Sequence, residues 1–197
     1  MPSTHTHSTT LFPSLSAAGL ILLVAGTAGA SGAPITARQV EWAESSIAWG
    51  EAEADLDTPL DAILPVLADY AAYQDFMPNF RRSRVLAQRG TRARVYMEVS
   101  AAAGALTLWG QLDLKARTEI EADTRVIEAQ LLEGNIDAFR AEWRLVPSAD
   151  GQTTHVEFRI FVDPDLPLPS SLSSRETERA ARRSVEALRS HLERKDP

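Results

Sequence analysis

Along most of the chain after residue 46, apolar and polar positions alternate with period two, and the departures from that alternation mark the helices. Residues 47–56 set Ala48, Gly50, Ala52 and Ala54 on one side and Glu51, Glu53 and Asp55 on the other, a strand with one wet face. Asp57-Thr58-Pro59-Leu60-Asp61 then reads as a helix start, with a capping side chain, an early proline and an acid in the first turn. Leu60, Ile63, Leu64 and Leu67 recur at helical spacing, and Pro65 inside this stripe is expected to remove a backbone hydrogen bond and shorten or kink the helix.

From Arg81 the period returns to two. Residues 82–87 and 93–99 flank the turn Arg89-Gly90-Thr91, and the second run alternates Ala93, Val95, Met97 and Val99 with Arg92, Arg94, Tyr96 and Glu98, as in a hairpin. Residues 105–115 place Leu106, Leu108, Gly110, Leu112 and Leu114 opposite Thr107, Trp109, Gln111 and Asp113. Residues 125–132 form a further strand, and residues 138–146 alternate Phe139, Ala141, Trp143 and Leu145 with Arg140, Glu142 and Arg144. After the turn at 147–151, Val156, Phe158, Ile160 and Val162 alternate with His155, Glu157 and Arg159. Seven strands result, six of them consecutive and hence antiparallel.

A Pro-rich stretch at 163–169 leads into a last helix, where Ser173 and Glu176 fit a capping box and Ala181, Val185, Leu188 and Leu192 form one apolar stripe among charges. Strand, helix, six strands, long helix is most economically a curved antiparallel sheet wrapped round the terminal helix, with an apolar space between them. Residues 69–80 stand out because they crowd Tyr70, Tyr73, Phe76, Met77, Pro78 and Phe80 into one segment after the first helix. Two readings of that segment coexist: a satellite core under a loop, and a gate over the apolar space with Phe76 and Met77 as its adaptable part.

Composition adds constraints. The first charged side chain is Arg38, preceded by the apolar run Leu15 to Ala30, which ends in Ala28-Gly29-Ala30. This resembles a secretory signal peptide, too short for a span of ~20 residues and closing on a small-x-small cleavage pattern. The expected organisation is a signal peptide at 1–30, a flexible lead-in at 31–45 and one ligand-binding domain at 46–197, exported to the periplasm or the exterior. N-terminal sequencing of the exported product is expected to start at Ser31, and a start at Met1 would instead make the run a retained anchor. With no cysteine, the domain has to stand on its core alone.

The net charge of −7 argues against general nucleic-acid binding, and a monomer is expected. Residues 39–80 carry nine acids and no Lys or Arg, whereas Arg81, Arg82, Arg84, Arg89, Arg92 and Arg94 follow within fourteen residues free of acid. The asymmetry has two readings: Arg81, Arg82 and Arg84 contact a membrane surface, or the arginines guard an exposed strand edge.

Candidate chemistry is sparse. Beyond the first thirty residues only His155 and His191 are histidines, on different elements, so neither a metal site nor a cofactor is expected. No G-x-S-x-G elbow and no Gly-rich phosphate loop is present. Tyr96, Trp109, Arg140 and Glu142 could serve acid–base chemistry only if they faced inward, and the alternation puts them outward.

The order of elements, with the helix followed by Asp69-Tyr70-x-x-Tyr73-x-x-Phe76-Met77-Pro78, resembles the START-like (SRPBCC) superfamily, in particular its polyketide cyclase/dehydrase and coenzyme Q-binding branch. Asp57-Thr58-Pro59, the region of Gly134, Phe139 and Trp143, and the approach Asp163-Pro164 to Pro169 complete the resemblance, which covers residues 46–195. It implies an α+β helix-grip (START-like/Bet v 1-like) fold, a curved seven-stranded antiparallel sheet around a long C-terminal helix, and a cavity for a hydrophobic small molecule. The residues expected to line that cavity are Val95, Met97, Leu106 and Leu108 on the first strands and Phe139, Trp143, Phe158 and Ile160 on the later ones. Phe76 and Met77 are expected at its lid, and Val185 and Leu188 on the helix. Binding or transport of a lipid, quinone or polyketide-like molecule without catalysis is the favoured function, and a cyclase- or dehydrase-like enzyme with polar cavity residues the alternative.

Overall fold

The computed structural model describes residues 33–101, 104, 106–119 and 123–195; the apolar run at 15–30 lies outside them. Eight strands form one antiparallel sheet: β1 Thr36–Trp42, β2 Ser45–Leu56, β3 Phe80–Arg89, β4 Arg92–Ala101, β5 Leu106–Thr118, β6 Arg125–Gly134, β7 Ala138–Pro147 and β8 Thr154–Asp163. Their order across the sheet is β1-β2-β8-β7-β6-β5-β4-β3, so β1 and β3 are the edges. Between β2 and β3 run the helix α1 Leu60–Ala68, a 3-10 turn Tyr70–Ala72 and the short helix α2 Tyr73–Phe76; α3 Ser170–Lys195 ends the chain.

The lead-in expected to be flexible is corrected by this pairing. Thr36 to Val40 lie opposite Glu53 to Trp49 and add the eighth strand. β2 pairs its inner edge, and Arg182 and Arg189 of α3 donate to the carbonyls of Ile35 and Ala33 at 2.8 and 2.7 Å. Both expected helix caps are also corrected. The N-cap of α1 is Pro59, with no side-chain bond, because Thr58 instead offers its carbonyl to the Thr154 hydroxyl at 2.8 Å. Pro65 leaves α1 continuous over its nine residues, and its carbonyl accepts from the Asp69 amide. The last helix starts three residues before Ser173, just after Pro169.

That early start has a use. Ser170, Ser174 and Thr177, spaced on one face of α3, meet β2: the Ser46 and Ser170 hydroxyls pair at 2.8 Å, the Ala48 amide donates to Ser174 Oγ at 2.9 Å, and Thr177 Oγ1 donates to the Ala48 carbonyl at 3.1 Å. The two backbones come so close that a Cβ on Gly50 would overlap the Thr177 carbonyl and the Glu178 amide nitrogen. One turn further on, Ala181, Val185, Leu188 and Leu192 sink into the core against Ala52, Ala54, Trp143, Leu145 and Phe158.

The sheet has two chemically distinct faces. The concave one is apolar from β2 to β4. The convex one carries a row of charges set directly opposite one another across all eight strands: Arg38, Glu51, Arg159, Glu142, Glu128, Lys115, Arg92 and Arg89. Glu51 is only 1% exposed and sits between Arg38 and Arg159, the latter at 2.6 Å. Cross-strand opposite charges support the sheet, while the two adjacent carboxylates in the row, Glu142 and Glu128, oppose one another. Burial, and then the Glu128 charge, push the Glu142 carboxyl above the usual carboxylate range.

Two consequences are measurable. Gly50→Ala is expected to cost about 3 kcal/mol, read as a lower urea midpoint with an unchanged slope, because neither backbone can retreat without breaking the bonds between β2 and α3. Ionised Glu142 opposes folding, so its penalty is absent below the ordinary glutamate value of 4.5 and grows as pH rises through its raised folded value. Glu142→Gln is therefore expected to raise the melting temperature at pH 7 to 8 and to leave it unchanged at pH 4; the opposite order would show that the carboxylate is a net stabiliser.

Candidate functional site: an apolar bay on the concave face

Burial along the concave face falls toward one end. On β8 it runs from fully buried Val156 through Phe158 to half-buried Ile160 and Val162, and on β7 from Leu145 through Trp143 to half-buried Ala141 and Phe139. On β6 it runs from buried Ile127 to half-buried Ala129 and Leu131, on β5 from Leu114 to Leu108, and on β4 from Val95 to Val99. Five strands thus lose part of their cover at the same end. The side chains there stay apolar and half-buried, with Ala129, Leu131, Phe139, Ala141 and Ile160 still packed against the edge of the core, and they outline a candidate apolar bay.

The deep end is filled. Trp143 stacks on Phe158 with ring centroids 4.1 Å apart, and Val95, Val185 and Leu188 are 0% exposed, leaving no surface for a ligand. Six of the residues expected to line a cavity are therefore packed core: Val95, Met97, Trp143, Phe158, Val185 and Leu188. Leu106, at the start of β5, is 37% exposed. Leu108, Phe139 and Ile160 lie half-buried at the candidate bay, together with Val99 and Leu131. Val99 has the same parity as Val95 and Met97, so alternation alone could have found it. Leu131 shares the parity of Ile127 and Ala129, and the register shift in β6 falls only beyond it, between Leu131 and Glu133.

Residues 69–80 close the side of the sheet between α3 and the edge strand β3. Tyr73 donates to the Leu67 carbonyl at 2.8 Å, Ser83 Oγ to the Tyr70 carbonyl at 2.5 Å, and the Ser83 amide to Gln74 Oε1 at 3.2 Å. Burial pushes the Tyr73 phenol far up, so it remains a neutral donor. Tyr70, Tyr73 and Met77 are buried, while half-buried Phe76 lies against His191 of α3 with ring centroids 4.4 Å apart. Met77 therefore belongs to the core and Phe76 to the joint between segment and helix.

The hydroxyls of Tyr73 and Ser83 are committed to backbone as above, and that of Thr177 to Ala48 and Ser174. Tyr96, Trp109, Arg140 and Glu142 face the convex side, as alternation predicts. There Tyr96 stacks on Trp109, with Arg84 5.3 Å from the Tyr96 centroid, and Arg82 pairs with Glu98 at 3.4 Å. The hairpin arginines thus sit on or beside the edge strand. His155 is paired with Asp55 at 2.8 Å, and among the described residues no three His, Cys, Asp or Glu side chains form a metal site. A separate depression of about 230 Å³ beside Glu51 is lined by Thr36, Arg38 and Glu53 as well, and its charges make it a poor place for an apolar ligand.

Comparison with known proteins bears on this geometry. No curated protein sequence matches the chain significantly. The sequence model of the family described as polyketide cyclase/dehydrase and lipid transport matches residues 56–189. Among solved structures, a STAR-related lipid transfer protein from Xanthomonas axonopodis is similar with a TM-score of 0.69 at 22% identity, over 85% of this chain and 97% of that one. Human StAR-related lipid transfer protein 5 gives 0.67 at 12% identity over 85% of each chain. The Zhui aromatase/cyclase from Streptomyces gives 0.54 at 19% identity, over 76% of this chain and 95% of that one. These likenesses establish the helix-grip fold, and the match over residues 56–189 carries the family: the chain belongs to the polyketide cyclase/dehydrase and lipid transport family of the START-like superfamily.

Proposed function

We propose that this protein binds or carries a hydrophobic or amphipathic small molecule, of lipid, quinone or polyketide-like character, in the apolar bay, without chemical turnover. The observation that carries this reading is the common loss of cover on five strands whose half-buried ends remain apolar. Ligand sites are concave and mostly apolar with few polar groups, and the bay has that composition. Catalysis of the cyclase kind needs positioned donors or acceptors at the reacting atoms. The inward hydroxyls of Tyr73, Ser83 and Thr177 are spent on backbone carbonyls, which favours binding over reaction. The lipid transfer proteins among the similar structures are consistent with this, and the aromatase/cyclase marks the competing reading.

Native mass spectrometry of the purified chain, followed by organic extraction, is expected to show a co-purifying apolar molecule in stoichiometric amount. An empty protein that turns over a poly-ketone would replace binding with catalysis. Ile160→Asn places an amide in the bay without opening the packed core. It is expected to lower ligand retention about tenfold, the equivalent of ~1.4 kcal/mol, with little change in melting temperature. Unchanged retention would move the ligand elsewhere.

A further inference from the structure

The depression beside Glu51 lies where β1 pairs with β2, and its lining comes from two facing triplets, Thr36, Ala37 and Arg38 on one strand and Glu51, Ala52 and Glu53 on the other. Its volume of about 230 Å³ is below the ~300–1,000 Å³ usual for drug-sized ligands, which suits a compact molecule. The wall contains a carboxylate in an unusual state. Glu51 is only 1% exposed, and a carboxylate so deeply placed is costly unless both of its oxygens are paired.

One oxygen is well paired and the other is not. Oε2 of Glu51 accepts from Arg159 Nε at 2.6 Å, but the same nitrogen lies 2.6 Å from Glu157, so this cation is divided between two carboxylates. Glu142, opposite Arg159 on β7, adds to the demand on it, and Arg144, opposite Glu157, is itself paired with Glu119. Oε1 of Glu51 is buried and accepts no hydrogen bond. The only charge against it is the guanidinium of Arg38, whose side chain is 63% exposed. Glu53, next along the same face, takes a hydroxyl bond from Thr36 at 3.1 Å, and among the described residues no cation forms an ion pair with it. Arg38 and Arg159 therefore serve Glu51, Glu53 and Glu157, which leaves the depression one positive charge short.

That deficit selects the class of ligand. An anion would meet Glu51 and Glu53, and a divalent metal fits poorly, because the described residues offer no group of three His, Cys, Asp or Glu side chains and Arg38 repels it. An organic cation with several N–H donors supplies both the missing charge and a donor directed at Oε1. Arg38 occupies that place as a tethered stand-in, and its largely exposed side chain can leave it at little cost. We infer that the depression between β1 and β2 binds a small organic cation, a guanidine or a primary amine, which displaces the Arg38 guanidinium and pairs with Glu51 and Glu53. This site is independent of the bay and of whatever the bay carries.

Methylguanidinium is the probe, and neutral methylurea, of nearly the same shape, is its control. In the full chain carrying Arg38→Ala, methylguanidinium at millimolar concentration is expected to shift the backbone amide resonances of residues 36–38 and 51–53, and methylurea to leave them in place. Affinity is expected to be at least about tenfold higher than in the unaltered chain, because a tethered group competes at an effective concentration in the millimolar range. Arg38→Met, which keeps the stem and removes the charge, gives a second reading of the same effect. Adding Glu51→Gln to either background is expected to abolish the shifts while the other amides stay in place. Glu53→Gln, at a half-buried position, is expected to weaken binding several-fold and keeps the test decisive if the Glu51 variant fails to fold. The proposal is overturned by any of four results: no shift in either Arg38 variant, equal shifts with methylurea, an affinity unchanged by removing Arg38, or binding indifferent to both glutamate substitutions.

Discussion

The close approach of α3 to β2 is the constraint on which the remaining architecture depends. At Gly50 the sheet has no side chain, and two residues before it Ser174 and Thr177 of α3 bind the Ala48 backbone of β2. Without that proximity Ala181, Val185 and Leu188 would not reach the concave face, and the core would be a gap too wide for side chains to fill. The helix is held at one edge of the sheet, over β1, β2 and β8. The inner surface of the more distant strands is left to α1 and the segment 69–80, and toward one end its side chains are only half-buried.

Two surfaces of one sheet solve different problems. The concave face must collapse without disulfides, and its deep half does so with close-packed aliphatic and aromatic side chains. The convex face carries complementary cross-strand charges from Arg38 through Glu51 and Arg159 to Glu142, with Glu51 held between two arginines, while like charges adjoin at Glu142–Glu128 and along Lys115, Arg92 and Arg89. The exposed edge strand β3 is charged and irregular, with register shifts after Phe80 and after Val85, features that discourage pairing with another chain. This gives the arginine cluster of the hairpin a structural role on its own strand.

The family contains both lipid transport and cyclase descriptions, so fold cannot choose between them. The choice has to come from the site. Here the hydroxyls of Tyr73, Ser83 and Thr177 are directed at main-chain carbonyls, whereas Tyr96, Trp109, Arg140 and Glu142 lie on the convex face.

Much of this was legible in the chain. Period-two alternation located seven strands and assigned faces correctly at Tyr96, Trp109, Arg140, Glu142, Phe139 and Trp143, because a strand can bury only one side. The periodicity of Ala181, Val185, Leu188 and Leu192 located the helix stripe for the same reason. Three things escaped it. β1 reads as polar lead-in because both of its faces are largely wet; only pairing with β2 makes it a strand. The last helix was placed three residues late because Ser170, Ser174 and Thr177 at its start answer to β2, contacts more than a hundred residues distant in sequence. Depth of burial was also out of reach: Phe158 and Ile160 are equivalent in pattern, yet one is buried and the other half-buried. Local alternation therefore determined the elements and their inward faces, while burial depth, and with it the bay, was decided by where the terminal helix could approach the sheet.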